Sequence, residues 1–434
     1  MAILHNARIR CSLFPLPMPS VYIQSMQNND RYDLSDRLIH FFRPLDLEST
    51  SAPVWPEDTG YASVTETSLL RPQFLLRHAI RMGRLYATWS IRKNRRTVHG
   101  LRPAVCFTEM PIPAFIEAAL ARAAAGEAIS PYAIVFPKGA AFSVGARPVI
   151  YGLSSSASAS GGTNDTPRLF DKAALPLAEQ YRYVAYNPTT GKLDWSHERE
   201  WRWPLDVEPL TGLDGVPPDH SDSIPGLELD SPSMAGLGVV VATAVEAEQI
   251  VYDVLTKVDR GAIRRRHYQF VLAHETITNW TGLRDRGQLN CEIQNNLIDL
   301  QAYFTQTDAV SASLVAEFDT IVSKVASKRK PPKPGESGGC WLWLLENTHP
   351  MVRALIAKGR ITFNKDGKYL VPIDATSGHN LQQREQFATD IGVELKKHNG
   401  MRATYFSVLG KFDPDEVPFY NGDQLDDHLF YNWN

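Results

Sequence analysis

RLIHFFR, residues 37–43, is a short apolar run bounded by polar residues, the pattern of a strand buried inside a sheet. Alternation along it sets Leu38, His40 and Phe42 on one face and Ile39, Phe41 and Arg43 on the other. Further strands are read downstream in AVCFTE (104–109), YAIVFP (132–137), RPVIYG (147–152), QYRYVAY (180–186) and EREWRW (198–203). Helices are read at 68–86, with Pro72 in the first turn and Gly83 as the stop, and at 113–128. LGVVVAT (237–243), a helix over 246–258 and HYQFVLA (267–273) read as strand–helix–strand. Residues 289–329 are helical in pattern, and KRKPPKPGESGG (328–339) reads as a linker. Beyond it, WLWLL (341–345), helices at 349–359 and 382–398, a hairpin of RITF with KYLVPI, and RATYFSVLG (402–410) suggest a small α/β unit. The fold class expected is α+β: a mixed-sheet domain followed by a smaller α/β domain. The boundaries expected are an extension over 1–35, a first domain over 36–285, a helical connector over 286–330 and an accessory domain over 331–434.

A chain of 434 residues, 43% hydrophobic and 21% charged, has apolar material for real cores, which excludes a wholly disordered or fibrous protein. The net charge of −3 supplies no bulk attraction for nucleic acid, so such a role needs a local basic patch. Cys11, Cys106, Cys291 and Cys340 form no CxxC pair and no Cys/His cluster, so no metal site and no disulfide framework is expected. Long apolar windows are missing, so no membrane span is expected, and the scattered cysteines fit a reducing, cytoplasmic location. Pro15, Pro17 and Pro19 interrupt the first residues, which do not read as a signal peptide, and Met26 is a second candidate start.

Two stretches carry the chemistry. From Thr67 to Thr108 there is no acid, while Arg71, Arg77, Arg81, Arg84, Arg92, Lys93, Arg95, Arg96 and Arg102 are positive. This is either a face for phosphates or a solvated surface paired with acids elsewhere. In DWSHEREWRW (194–203), a strand over 198–203 would put Glu198, Glu200 and Arg202 on one face. That is either a charge-stabilising site or a salt-bridge ladder on an edge strand. His40 is either a core histidine or a ligand-holding one, and Glu109 either a helix-capping partner or a functional acid. The chain lacks GxxxxGK[ST], GxGxxG, HExxH and GxSxG, which argues against P-loop, Rossmann, zinc-protease and serine-hydrolase chemistry.

The order RLIHFFR, RMGRLYATWS, AVCFTEMP, YAIVFPK, ARPVIYG and DWSHEREWR resembles the AbiGi-type abortive-infection family over about residues 36–280. The core of that group in turn resembles ADP-ribosyltransferases of the DarT and RNA 2′-phosphotransferase class. The C-terminal part, with GGCWLWLLENTHPMVRALI and YFSVLG, resembles a bacterial domain of unknown function. The transferase resemblance implies a mixed, split β-sheet with NAD in its cleft. It implies Glu200 as the catalytic carboxylate with Glu198 orienting the acceptor, His40 at the nicotinamide ribose, Arg43 and Arg81 at the pyrophosphate, and Tyr86 stacked on nicotinamide. It implies a toxin or anti-phage role, with nucleic acid or a phage or host protein as acceptor. Arg77, Arg84, Arg92, Lys93, Arg95 and Arg96 are the expected nucleic-acid contacts. Two other classes remain open: a non-enzymatic sensor or antitoxin-like module using the basic face, and a metal-dependent nuclease built on Glu109, Glu198 and Glu200.

Overall fold

The computed structural model describes residues 34–62, 67–127, 129–153, 158–163, 166–187, 194–206, 224–278, 286–373 and 378–419. Nearly all of the expected 1–35 extension, with Cys11 and Met26, falls outside them, as do residues 154–157 and most of 205–236. The chain divides into two compact units, residues 1–247 with 266–299, and residues 248–265 with 300–434.

The first unit is α+β around a mixed eight-stranded sheet. Its strands are β1 (Arg37–Phe41), β2 (Ala104–Thr108), β3 (Ala133–Pro137), β4 (Arg147–Pro148), β5 (Glu200–Pro204), β6 (Leu237–Val241), β7 (Tyr268–Ala273) and β8 (Leu297–Asp299). They lie in the order β8-β7-β6-β3-β1-β2-β5-β4. β6 and β7 are parallel, joined through a helix, and the other neighbours are antiparallel. β6 is buried at all five positions, matching its uninterrupted LGVVV. The core sets Ile39, Val135, Val240 and Leu272 of the sheet against Phe115, Ile116 and Ala119 of α3 (Ile112–Ala124).

β1 pairs with β3 along all five residues but with β2 through one pair, Ile39–Thr108. Past that pair the sheet is split. The His40 imidazole, rather than a backbone N–H, reaches the Cys106 carbonyl, with Nδ1 donating at 2.9 Å.

Before β2 the chain forms α1 (Glu57–Ala62) and α2 (Pro72–Met82). Proline starts α2 and Gly83, at φ 68°, ends it in the left-handed region that glycine enters at no cost. The helix is thus shorter than the expected 68–86. Arg84–Tyr86 is a strand paired with Gly226–Glu228. The 180–186 stretch is a 3₁₀ turn (Leu177–Arg182) followed by two strand residues.

The second unit is a four-stranded antiparallel sheet of β9 (Gly338–Leu344), β10 (Thr362–Phe363), β11 (Tyr369–Pro372) and β12 (Ala403–Leu409), in the order β10-β11-β9-β12. One core in this unit joins side chains of α6 (Asp308–Ala326), α7 (Pro350–Ala357) and α8 (Leu381–Asn399) to those of β9 and β11. The residues expected as a connector divide: 286–299, with α5 (Arg286–Asn296), belong to the first unit and 300–330 to the second. The proline-rich stretch is pinned to α8, with the Pro331 carbonyl accepting from Gln383 and that of Pro334 from Asn380. Gly338 is required by close approach, because a Cβ there would run into the Val408 carbonyl. α4 (Ala244–Asp259) begins in the first unit and ends in the second.

Three histidines of the first unit are kept neutral. Burial lowers His40 and His78 to about 4, and burial with Arg168, Arg202 and Arg95 lowers His99 to about 3. Unfolded, each returns to about 6.5 and binds a proton that the folded chain refuses. Stability is therefore lost as pH falls from about 6.5 toward 4, and the urea midpoint at about pH 4.5 should lie below that at pH 7. His99→Phe, which keeps the ring packing, should flatten that dependence.

Candidate active site

Glu200 opens β5, after a 3₁₀ turn (Ser196–Glu198) and Arg199, which adopts a left-handed φ of 45°. The strand alternation therefore begins at Glu200, and Glu198 does not share its face by strand geometry, correcting the expectation for 198–203. Glu200 lies opposite Thr108, and Thr108 opposite Ile39, so these three side chains share a face. Arg202 lies opposite Cys106 on that same face.

The Glu200 side chain is 15% exposed and is held from several sides. Its Oε1 accepts from Arg202 Nε at 2.7 Å, and the Cys106 thiol hydrogen-bonds to it. Burial, and Glu200 beside it, push that thiol up to about 12, so it remains protonated and inert. The Glu200 backbone N–H donates to the Tyr151 hydroxyl at 3.0 Å, which in turn donates to the Trp195 carbonyl. Arg202, 5% exposed, also donates Nη1 to the carbonyls of Tyr181 (2.6 Å) and Tyr183 (3.2 Å). The strand-end carboxylate is thus fixed through an arginine that is itself fixed by backbone.

Arg43 joins the group from the end of β1. Burial and Arg92 lower its pKa, while Glu57 and Cys106 act on it in the opposite sense. Glu57, on α1, is pushed up to about 7 by burial, against a hydrogen bond from Thr88 and the charge of Arg43. Sequence reading missed Glu57, which lies in a stretch rich in Pro, Ser, Thr and acid that carries no periodic signal.

His40 is not brought to this face. Neighbouring Ile39 shares the Glu200 face, so His40 projects to the other side, where it meets the edges of Phe42 and Phe107 at 5.0 and 6.1 Å. Pairing His40 with Glu200 in one cleft is corrected on this register. Tyr86 is buried, with its hydroxyl 3.2 Å from His78 Nε2, its ring edge-on to Tyr61, and Gly60 directly against it. No ring face is left there for stacking a ligand. Arg81 closes α2 and adds its charge to the lowering of His78.

The nucleic-acid set separates in the same way. Arg77 is fully buried, Arg96 lies over Trp89 at 4.3 Å, and Arg84 leaves the helix to pair with Glu228 at 2.6 Å. The shared helix face expected for Arg77, Arg81 and Arg84 is therefore not formed. Arg92, Lys93 and Arg95 are exposed on one hairpin.

The three carboxylates of the nuclease alternative each have their own cation. Glu109 takes Lys138 at 2.7 Å and Trp201 Nε1 at 2.7 Å, Glu198 takes Arg122 at 2.9 Å, and Glu200 takes Arg202. Among the described residues no three His, Cys, Asp or Glu side chains gather as a metal site. No helix of the described residues is long and apolar enough to cross a membrane.

A family model described as Protein of unknown function (DUF4427) matches residues 308–433, within the second unit. No curated protein and no solved structure matches the chain.

Glu57 binds its proton more tightly folded than unfolded. Its carboxyl therefore favours the fold at low pH and loses that advantage as pH rises through about 4.5 to 7, opposite to the histidines. Glu57→Gln should gain melting temperature relative to the wild type between about pH 5 and 8, read by thermal melts across that range.

Proposed function

We propose that the first unit is an NAD-dependent ADP-ribosyltransferase-like enzyme, with Glu200 as its catalytic carboxylate. One observation carries the reading: a carboxylate at a strand start, beside a split in the sheet, held in place by a backbone-anchored arginine. In this reaction the bond from the ribose C1′ to nicotinamide breaks, nicotinamide takes the electron pair and leaves neutral, and the acceptor nucleophile bonds to C1′ as it gives up its proton. Positive charge develops on the ribose ring, and a fixed carboxylate lowers the energy of that state. The donor set fits a dinucleotide in part. Glu200 offers an acceptor for a ribose hydroxyl, and Arg43 a guanidinium for a phosphate. Tyr86 offers no stacking face, and Glu198, tied to Arg122, is a weaker candidate for orienting the acceptor. The toxin or anti-phage role remains the one implied by the family resemblance.

A second reading, a non-enzymatic module binding a polyanion or a phage protein, is favoured by the exposed Arg92, Lys93 and Arg95.

Purified protein with NAD and bacterial lysate should release nicotinamide, and Glu200→Gln should cut the rate by roughly 100-fold or more while keeping a cooperative melt. Absence of release with lysate, RNA or DNA present would remove the enzyme reading and leave the binding one.

A further inference from the structure

The hairpin Ile91–Arg92/Arg95–Arg96 turns through Lys93 and Asn94, both left-handed at φ 50° and 59°, a two-residue turn that fits strand twist. It lies against a second hairpin, Ser160–Gly161/Arg168–Leu169, through the Arg96 N–H and the Gly162 carbonyl at 3.0 Å. Arg168 reaches the first hairpin, with Nη1 donating to the Arg96 carbonyl at 3.5 Å, and neighbouring Arg95 adds to burial in lowering the Arg168 pKa. Behind them His99, 2% exposed, stacks on Phe170 at 5.2 Å and meets Tyr183 edge-on at 4.9 Å. Arg168 Nε is shut from solvent without a hydrogen-bond partner among the described residues.

The charges are as uneven as the hydrogen bonds. Among the described residues no carboxylate pairs with Arg92, Lys93, Arg95 or Arg168. Elsewhere in the unit, Arg84, Arg102, Arg122, Arg182 and Arg202 all have acids within 3 Å. Like charges set side by side, one with an idle buried guanidinium N–H, cost stability unless an anion completes them. Guanidinium forks match phosphate oxygens in geometry, and a tetrahedral phosphoryl group offers oxygens to several donors at once.

We propose that Arg95 and Arg168 form a phosphate-binding subsite between the two hairpins, with His99 as its inner wall and Arg92 and Lys93 extending it along the surface. The phosphate belongs either to a nucleic-acid backbone or to a free nucleotide. The site does not depend on NAD chemistry at Glu200 and is tested without it.

Full-length protein is titrated with pyrophosphate by calorimetry, and with a labelled single-stranded oligonucleotide by fluorescence anisotropy at several salt concentrations. Arg95→Ala, exposed and safe for folding, and Arg168→Ala should each weaken binding about tenfold. Arg360→Ala, paired on the surface with Asp319, should leave it unchanged. Removing Arg92 and Lys93 should reduce the oligonucleotide salt slope by about 0.7 per cation. Oligonucleotide binding that pyrophosphate does not displace assigns the site to a nucleic-acid backbone, and pyrophosphate binding with displacement assigns it to a free nucleotide. Binding of neither probe, wild-type binding in Arg95→Ala and Arg168→Ala, or equal competition by poly-glutamate overturns the proposal.

Discussion

Thr108 is the position on which the first unit depends. On one side it pairs with Ile39 of β1 and on the other with Glu200 of β5. Because paired strand residues share a face, this residue decides which side chains meet. It sends Glu200 and, by alternation, Arg202 and Cys106 to the side on which Ile39 joins the α3 core, and His40 to the other. It is also the last pairing between β1 and β2, and the loss of ladder bonds beyond it lets an imidazole donate to a strand carbonyl. A single register thus sets the carboxylate group and the split beside it.

The charges in that unit follow from burial. Glu109, Glu198 and Glu200 are 14–17% exposed at the side chain, and each is met by a separate cation. A buried ion pair adds little net stability, but removing one partner leaves an uncompensated charge and is expensive. The three pairs therefore constrain geometry more than they stabilise. Arg202 carries most of this constraint, because its guanidinium also ties the carbonyls of Tyr181 and Tyr183 to the strand. The neutral histidines show the same rule from the other side, since ionisable rings in apolar surroundings stay uncharged where no acid is supplied.

Much of the element pattern was legible in the sequence because it rests on local chemistry. Pro72 and Gly83 mark the ends of α2, the apolar run of β6 marks a central strand, and NKDGK separates the two strands of a hairpin. What was hidden depends on distant contacts. Nothing local distinguishes buried Arg77 from exposed Arg92, because pattern gives the facing of an arginine but not what covers it. The left-handed Arg199 breaks the alternation that had put Glu198 beside Glu200, and no residue type there announces it. Glu57 joins Arg43 across a short, mostly irregular stretch that carries no helix or strand period to relate them. The linker reading failed for a related reason: prolines and glycines report an irregular backbone, not a loose one, and this stretch is bonded to α8.

The path of α4 has a consequence for inheritance. The second unit takes residues 248–265 from within the span of the first, so it is not a terminal module that one crossover in a gene could transfer. That borrowed segment supplies Asp259, which is 3% exposed and grips Arg353 through both oxygens at 2.6 and 2.9 Å. It also supplies the Tyr252 carbonyl and the Thr256 hydroxyl that hold Asn347. A piece of this chain starting at residue 308 would carry Arg353 and Asn347 into its interior without those partners. Recombination that separated the two units would have to replace this polar lining with apolar side chains, or carry the helix along with its receiver.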